Sequence, residues 1–313
     1  MAGLGGIVAI AGGFQYTLAL SVDATVLAWG ANANGQLGDS TTTTRATPFP
    51  VIDPLSSSGF LSGVMAIAAG NAHSLALKPD GTVLAWGGNV LGQLGDSTTT
   101  QRRTLVQVSG LGAGSGVIAI AAGASHSLAL KFDGTVLAWG SNVTGQLGDG
   151  TTTPRLTPLQ VFGLGPDSGV VAIAAGGGHS LALKADGTVL AWGLNANGQL
   201  GDGTLTRRLT PVPVSGLGPG SGVEAIAAGI THSLALKSDG TVLAWGFNTT
   251  GQLGDGTTAQ RTTPVQVSGL GLGSGVVAID AGVSHSLALE FTGFLRSVNV
   301  RIKRPERINS GLQ

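Results

Sequence analysis

Apolar and polar positions along this chain come in short bursts, and the bursts repeat. In residues 170–193, VVAIAAGGGHSLALKADGTVLAWG, three runs of small, branched or aromatic residues are separated by GGGH and by Asp186-Gly187, and PVPV follows at 211–214. Runs of this length bounded by Gly, Asp and Pro predict β-strands, and no window carries the i, i+3, i+4 apolar pattern of a helix. SLALK and TVLAW on either side of Asp186-Gly187 predict a β-hairpin with a two-residue type I′ turn. In TVLAW both alternating sets are apolar, Val189 and Ala191 on one face and Leu190 and Trp192 on the other. A strand built this way belongs in a sheet covered on both sides.

The pattern has a period. Tryptophan occurs at 29, 86, 139, 192 and 245, spaced by 57 and then three times by 53, and His73, His126, His179, His232 and His285 are 53 apart throughout. A fixed period of this size predicts stacked units that bury their faces against their neighbours. Sheets sandwiched between other sheets, with the Ala- and Gly-rich strand innermost, predict an all-β protein: a β-propeller of about six four-stranded blades with a 53-residue repeat. The uncharged first 22 residues belong to this framework rather than to a signal peptide, because GIVAIAGGFQYTLAL aligns with GVMAIAAGNAHSLAL and Tyr16 stands where His73 stands. Residues 1–293 form the repeat domain. Residues 294–313 are a divergent basic end, in which FLRSVNVRIK replaces TVLAWGFNTT; its alternating Val298, Val300 and Ile302 suit a strand that completes an irregular last blade.

Charge changes the picture little. Charged residues are 10% of the chain and the net charge is zero, divided into −4 up to Glu290 and +4 beyond it. A mildly acidic repeat body opposes the basic footprint of a nucleic-acid partner. No cysteine is present, which excludes disulfides and thiolate metal sites and leaves the compartment open. No uninterrupted apolar run approaches the roughly 20 residues of a membrane helix.

Candidate chemistry is correspondingly thin. GLGPGSGVEAIAAG, residues 216–229, resembles a phosphate loop, yet it precedes a strand, lacks Lys-Ser/Thr and recurs in most units, so it reads as a connection between blades. The histidines fall on a wide ring rather than around one ion, so no metal or other cofactor is expected, and each is expected to hydrogen-bond neighbouring backbone. Nearly every Ser, His and Asp has copies in the other units, so no unique nucleophile–base set exists and no enzyme is expected. Asp39, Asp96, Asp149, Asp202 and Asp255 each precede Arg45, Arg102, Arg155, Arg208 and Arg261 by six residues, a fixed offset that predicts ion pairs ordering the GDGTTTxR loop.

The unit HSLALKxDGTVLAWGxNxxGQLGDGTTTxRxTPVxVSGL resembles the repeat of the regulator of chromosome condensation family over about residues 7–293. The resemblance implies a β-propeller and, in its best-known member, nucleotide exchange on a small GTPase through one face and a protruding β-wedge. The uniform period here has no such insertion; the one length anomaly lies at Asp53–Gly63. The leading expectation is a non-enzymatic module presenting variable loops to a protein or glycan, and the alternative is a GTPase regulator.

Comparison of the units places the variation. With strands running from inner to outer, the turn before each His and the loop after each Trp share one face, and the Asp-Gly hairpins occupy the other. The hairpin Asp-Gly is held in four units, whereas the loop face varies at Phe14, Gln15, Asn71, Leu91, Ser141, Leu194, Asn197, Ile230, Thr231 and Phe247. These ten residues are the candidate partner-binding set, since loops on a rigid scaffold commonly carry binding residues. Drift after duplication produces the same pattern.

Overall fold

A computed structural model describes residues 6–291, which contain strands and no helix. Five sheets have four antiparallel strands each, in sequence order, and a sixth contributes its first two, Val276–Ala281 and Ser286–Glu290. The strand expected within residues 294–303 lies outside the described residues. In unit four the order is Val170–Ala175, His179–Lys184, Val189–Gly193 and Arg208–Pro213. The first strands of successive units touch one another and line the central cavity, so they are innermost. Their Ala and Gly content suits that position: backbones converge there and leave little room for side chains.

The stacking follows from the pleat. On the second strand of unit four, Leu181 and Leu183 face unit five, where they meet Ala235 and Trp245. Ala182, between them, faces unit three, together with Trp192 and the half-buried Leu190, against Leu128, Leu130, Val136 and Ala138. The sheet is thus apolar on both faces because each face is an inter-unit interface. Trp86, Trp139, Trp192 and Trp245 are fully buried, and burying an apolar side chain of this class contributes roughly 1.5–3 kcal/mol or more.

One turn differs from expectation. At the hairpin, Gly187 N–H donates to Lys184 C=O at 3.0 Å and Lys184 N–H to Thr188 C=O at 2.8 Å. Only Gly187, at φ +90°, is left-handed, and Asp186 is not. This is a three-residue loop, a turn over Ala185-Asp186 closed by a glycine bulge, rather than a two-residue type I′ turn. The Asp186 carboxylate accepts Thr188 N–H at 2.9 Å, which rigidifies the bend. The linker to unit five then latches it: Ser221 Oγ donates to Gly187 C=O at 2.7 Å and Gly220 N–H to Asp186 C=O at 2.7 Å. The uniformity of the hairpin face therefore has a structural cause.

Candidate interaction face

Four of the five histidines, His73, His126, His179 and His232, are buried at inter-unit joints, whereas His285 is exposed. Nε2 of His73, His126, His179 and His232 bonds the hydroxyl of Ser127, Ser180, Ser233 and Ser286 in the following unit, at 3.0, 2.9, 2.9 and 3.1 Å. The partner is thus a neighbouring side chain and not, as the sequence suggests, backbone. Each serine hydroxyl donates in turn to a glutamine carbonyl of the preceding unit, as Ser180 does to Gln146 at 2.8 Å, and Trp192 Nε1 donates to the same carbonyl at 2.9 Å. Because the hydroxyl proton is committed there, the histidine must donate from Nε2, and its buried Nδ1 is left as an unprotonated nitrogen without a partner. Burial pushes the ring pKa down, to about 4 for His73 and about 3 for His126, with neighbouring histidines adding to the effect at His126. The ring lies so close to Gly176 that a Cβ there would sit 2.3 Å from Cε1 of His179, so glycine is required in the preceding turn.

These joints are structural, and among the described residues no group of three or more His, Cys, Asp or Glu converges on a point that could hold a metal ion.

The loop after each tryptophan is held by a second network. Arg45, Arg102, Arg155, Arg208 and Arg261 pair with Asp39, Asp96, Asp149, Asp202 and Asp255 at 2.5–2.7 Å, in all five units. Burial alone would raise the Asp202 pKa, but hydrogen bonds from Thr204 and Arg208 outweigh it and hold the carboxylate below its usual range. The hub is an asparagine that the pairing argument overlooks. Asn195 Nδ2 donates to Asp202 and to the carbonyls of Thr204 and Thr206, while its Oδ1 accepts Leu200 N–H. Its signal was present in the sequence: Asn occurs two residues after the glycine of AWG in all five complete units. Asn195→Ala is expected to cost about 2–3 kcal/mol, because several buried groups lose their partner at once; the shift in urea midpoint measures it.

Near the axis, the turns before the histidines are tied into an arc. Asn71 N–H donates to Ala124 C=O at 3.2 Å, Ala124 N–H to Gly176 C=O at 3.1 Å, and Gly177 N–H to Ile230 C=O at 3.2 Å. On this scaffold the candidate residues take different places. Phe14 and Gln15 are exposed, with Gln15 at φ 63°, while Asn71, Leu91, Leu194, Asn197, Ile230, Thr231 and Phe247 are half-buried. Ser141 is buried, and its hydroxyl accepts from Gln146 Nε2 at 3.2 Å, so it offers no surface. Leu194 and Ile230 are brought together over the side-chain-free Gly177-Gly178: a Cβ on Gly177 would meet Ile230, and one on Gly178 would meet Leu194. Phe247, whose N–H donates to Thr231 C=O at 2.9 Å, lies on unit five with Ile230. The hairpin face also carries exposed apolar side chains, among them Phe132 and Phe162 at 67% and 66% exposure; repeat comparison did not single these out.

A stacked series of such joints, with its AWG and NxxGQLG landmarks, is matched over residues 2–297 by the model of the RCC1-like domain. The chain belongs to this family. It is 33% identical to the ultraviolet-B receptor UVR8 of Arabidopsis thaliana over 286 residues, 90% of the chain and 62% of that protein. It is 35% identical to the human E3 ubiquitin-protein ligase HERC2 over 285 residues, 90% of the chain but 6% of that protein. Among solved structures, human WBSCR16 superposes with a TM-score of 0.68 at 25% identity, covering 91% of this chain and 86% of that one. Yeast RCC1 (Prp20), bound to Kap60, superposes with a TM-score of 0.69 at 21% identity over 90% and 79%. The chain therefore spans less than two thirds of the length of these two sequence relatives.

Proposed function

We propose that the protein is a non-enzymatic interaction module that binds a protein partner on its loop face, through a patch centred on Leu194, Ile230 and Phe247. What carries this reading is the contrast between a frame repeated residue for residue and a patch, built on that frame, in which Leu194 and Ile230 lie over two adjacent glycines and Phe247 stands on the same loop face. Apolar side chains in a rigid surround are the usual anchors of protein interfaces. A repeated frame without a unique acid, base or nucleophile supports binding rather than catalysis. The family supports the same reading, since the chain is similar both to a receptor and to a ligase, proteins of different activity.

The test uses partners captured from a lysate by the intact chain and then purified. Combined Leu194→Glu, Ile230→Glu and Phe247→Glu substitution is expected to weaken the purified interaction at least tenfold, and Phe132→Glu with Phe162→Glu to leave it unchanged. Loss confined to the hairpin-face variant would overturn the assignment. A nucleotide-release assay on any captured GTPase distinguishes plain binding from the regulator alternative.

A further inference from the structure

Gln146 and Gln199 occupy the same place in units three and four, and their side chains make the same first bond. Gln146 Oε1 accepts Thr144 N–H and Gln199 Oε1 accepts Asn197 N–H, each at 2.9 Å. That bond fixes which way each amide points, so Nε2 is the remaining end of both. In unit three Nε2 donates to the hydroxyl of Ser141 at 3.2 Å. In unit four the residue at that place is Leu194, which has nothing to accept with, and Nε2 of the fully buried Gln199 has no partner among the described residues. Gln252 Nε2 shares this state in unit five, where the place is taken by Phe247. Units one and two carry Ala31 and Gly88 there, and their glutamine donors are not sealed without a partner. The donor is thus orphaned only where a large apolar side chain stands beside it. Gln199 is the better defined of the two, because units four and five around it lie wholly within the described residues.

Buried donors are nearly always paired, and one left unpaired costs stability until something satisfies it. The cover over this one is built to move. Leu194 is half-buried and its N–H is pinned to Gly178 C=O at 2.8 Å, while its side chain lies over Gly178, where a Cβ would meet Leu194 Cβ and Cδ2 at 3.4 and 3.5 Å. Gly177 and Gly178 have no side chains to obstruct it, so Leu194 can swing about a fixed backbone. The surroundings are also free of charge. No Asp, Glu, Lys or Arg occurs in the turns before the histidines, residues 12–15, 70–72, 123–125, 176–178, 229–231 and 282–284, or in the loops 30–36, 87–93, 140–146, 193–199 and 246–252. A carboxylate entering such a site would exchange its hydration for a single neutral donor, whereas a carbonyl gives up far less.

We propose that Gln199 Nε2 is a concealed contact of the loop-face site: an uncharged, apolar segment of a protein partner turns the Leu194 side chain aside and places a main-chain carbonyl oxygen on this donor. The proposal rests on the loop-face reading and adds to it the chemistry of the partner. Contact with Leu194 and Ile230 supplies apolar area. The amide supplies selectivity, since a partner that covers the site without an acceptor leaves the donor unpaired. Because the face carries no charge, affinity should not depend on ionic strength.

The test compares Leu194→Ala with Leu194→Ser in the full chain. Both remove most of the cover, and only serine brings the acceptor that Ser141 provides in unit three. The serine variant should therefore unfold at a higher urea concentration than the alanine variant. For binding, the probe is the capped tripeptide acetyl-Ala-Leu-Ala-amide, titrated into isotope-labelled protein while the Gln199 side-chain NH2 signals are followed by NMR. A saturable shift is expected in the wild type and in Leu194→Ala, with binding at least tenfold weaker in Leu194→Ser and the same wild-type midpoint at low and high salt. Equal urea midpoints for the two variants, no saturable shift in the wild type, or equal binding by the two variants would each overturn the proposal. A purified partner weakened by the combined Leu194→Glu, Ile230→Glu and Phe247→Glu substitution, yet bound equally by Leu194→Ala and Leu194→Ser, would overturn the Gln199 contact and leave the loop-face reading standing. A partner indifferent to the combined substitution would remove both.

Discussion

Lowering the pH from 7 to 5 is expected to remove most or all of the protein's stability, well before the carboxylates titrate. The cause lies in the buried joints. Burial holds His73 and His232 at about 4 and His126 and His179 at about 3, against 6.5 for a free imidazole. These are bases with depressed pKa values, so the unfolded chain takes up protons below pH 6.5 while the folded chain does not. The stabilisation is complete above 6.5 and is lost as pH falls from there toward 3–4. Each such group contributes a slope of about 1.4 kcal/mol per pH unit, and four together about 5. Over one and a half units this rivals the 5–15 kcal/mol that separates typical folded and unfolded states. Urea midpoints at pH 7, 6 and 5 should fall steeply, and His126→Gln should flatten the slope by about a quarter while lowering stability at pH 7. A midpoint independent of pH across this window would refute the account. The lowered aspartates act in the same direction but lower down, where Asp202 and its equivalents lose their Thr, Arg and Asn partners on protonation.

Much of this architecture was legible in the chain, and the exceptions fall into contacts between units and ambiguous local turns. Strand positions, the 53-residue unit and the two-sided burial of TVLAW follow from local pattern, because each is decided within a dozen residues. The Asp–Arg pairs were legible for the same reason, six residues being close enough for both side chains to reach one loop. The histidine partner was not. Ser127 follows His126 directly, yet it bonds His73, 54 residues earlier, and only the stacking of one unit on the next reveals that. Exposure was misjudged at Ser141 for a different, local reason: the loop folds back so that Gln146, five residues on, donates to its hydroxyl. The hairpin turn was misread because Asp-Gly serves both a type I′ turn and a glycine bulge, and the register of the flanking strands decides between them: Leu183 faces Val189, and Lys184 bonds Thr188 beyond that pair. The face on which the loops lie did follow from strand order. Which of those loops cluster apolar side chains depends on Gly177-Gly178 lying under Ile230 and Leu194, a contact between units that no single repeat displays.

Removing one of the socketed indoles should be the most damaging single truncation in the protein. Trp192 is fully buried between units three and four, amid Leu128, Leu130, Val136 and Ala138, and its Nε1 shares the Gln146 carbonyl with Ser180. Trp192→Ala leaves a cavity that the neighbouring sheets cannot close, because each is held by its other face to a further unit, and such truncations cost about 3–5 kcal/mol. Trp192→Phe keeps much of the packing and deletes one hydrogen bond; since Ser180 still satisfies the carbonyl, the expected cost is nearer 1–2 kcal/mol. The informative control is Trp29, which occupies the same position in unit one but has no described unit before it and is only half-buried. If the energy resides in the inter-unit socket rather than in the strand, Trp29→Ala should cost less than half of what Trp192→Ala costs in parallel urea melts. Equal losses at the two positions would mean that the indole acts within its own sheet, and the stacking account of this fold's stability would then be wrong.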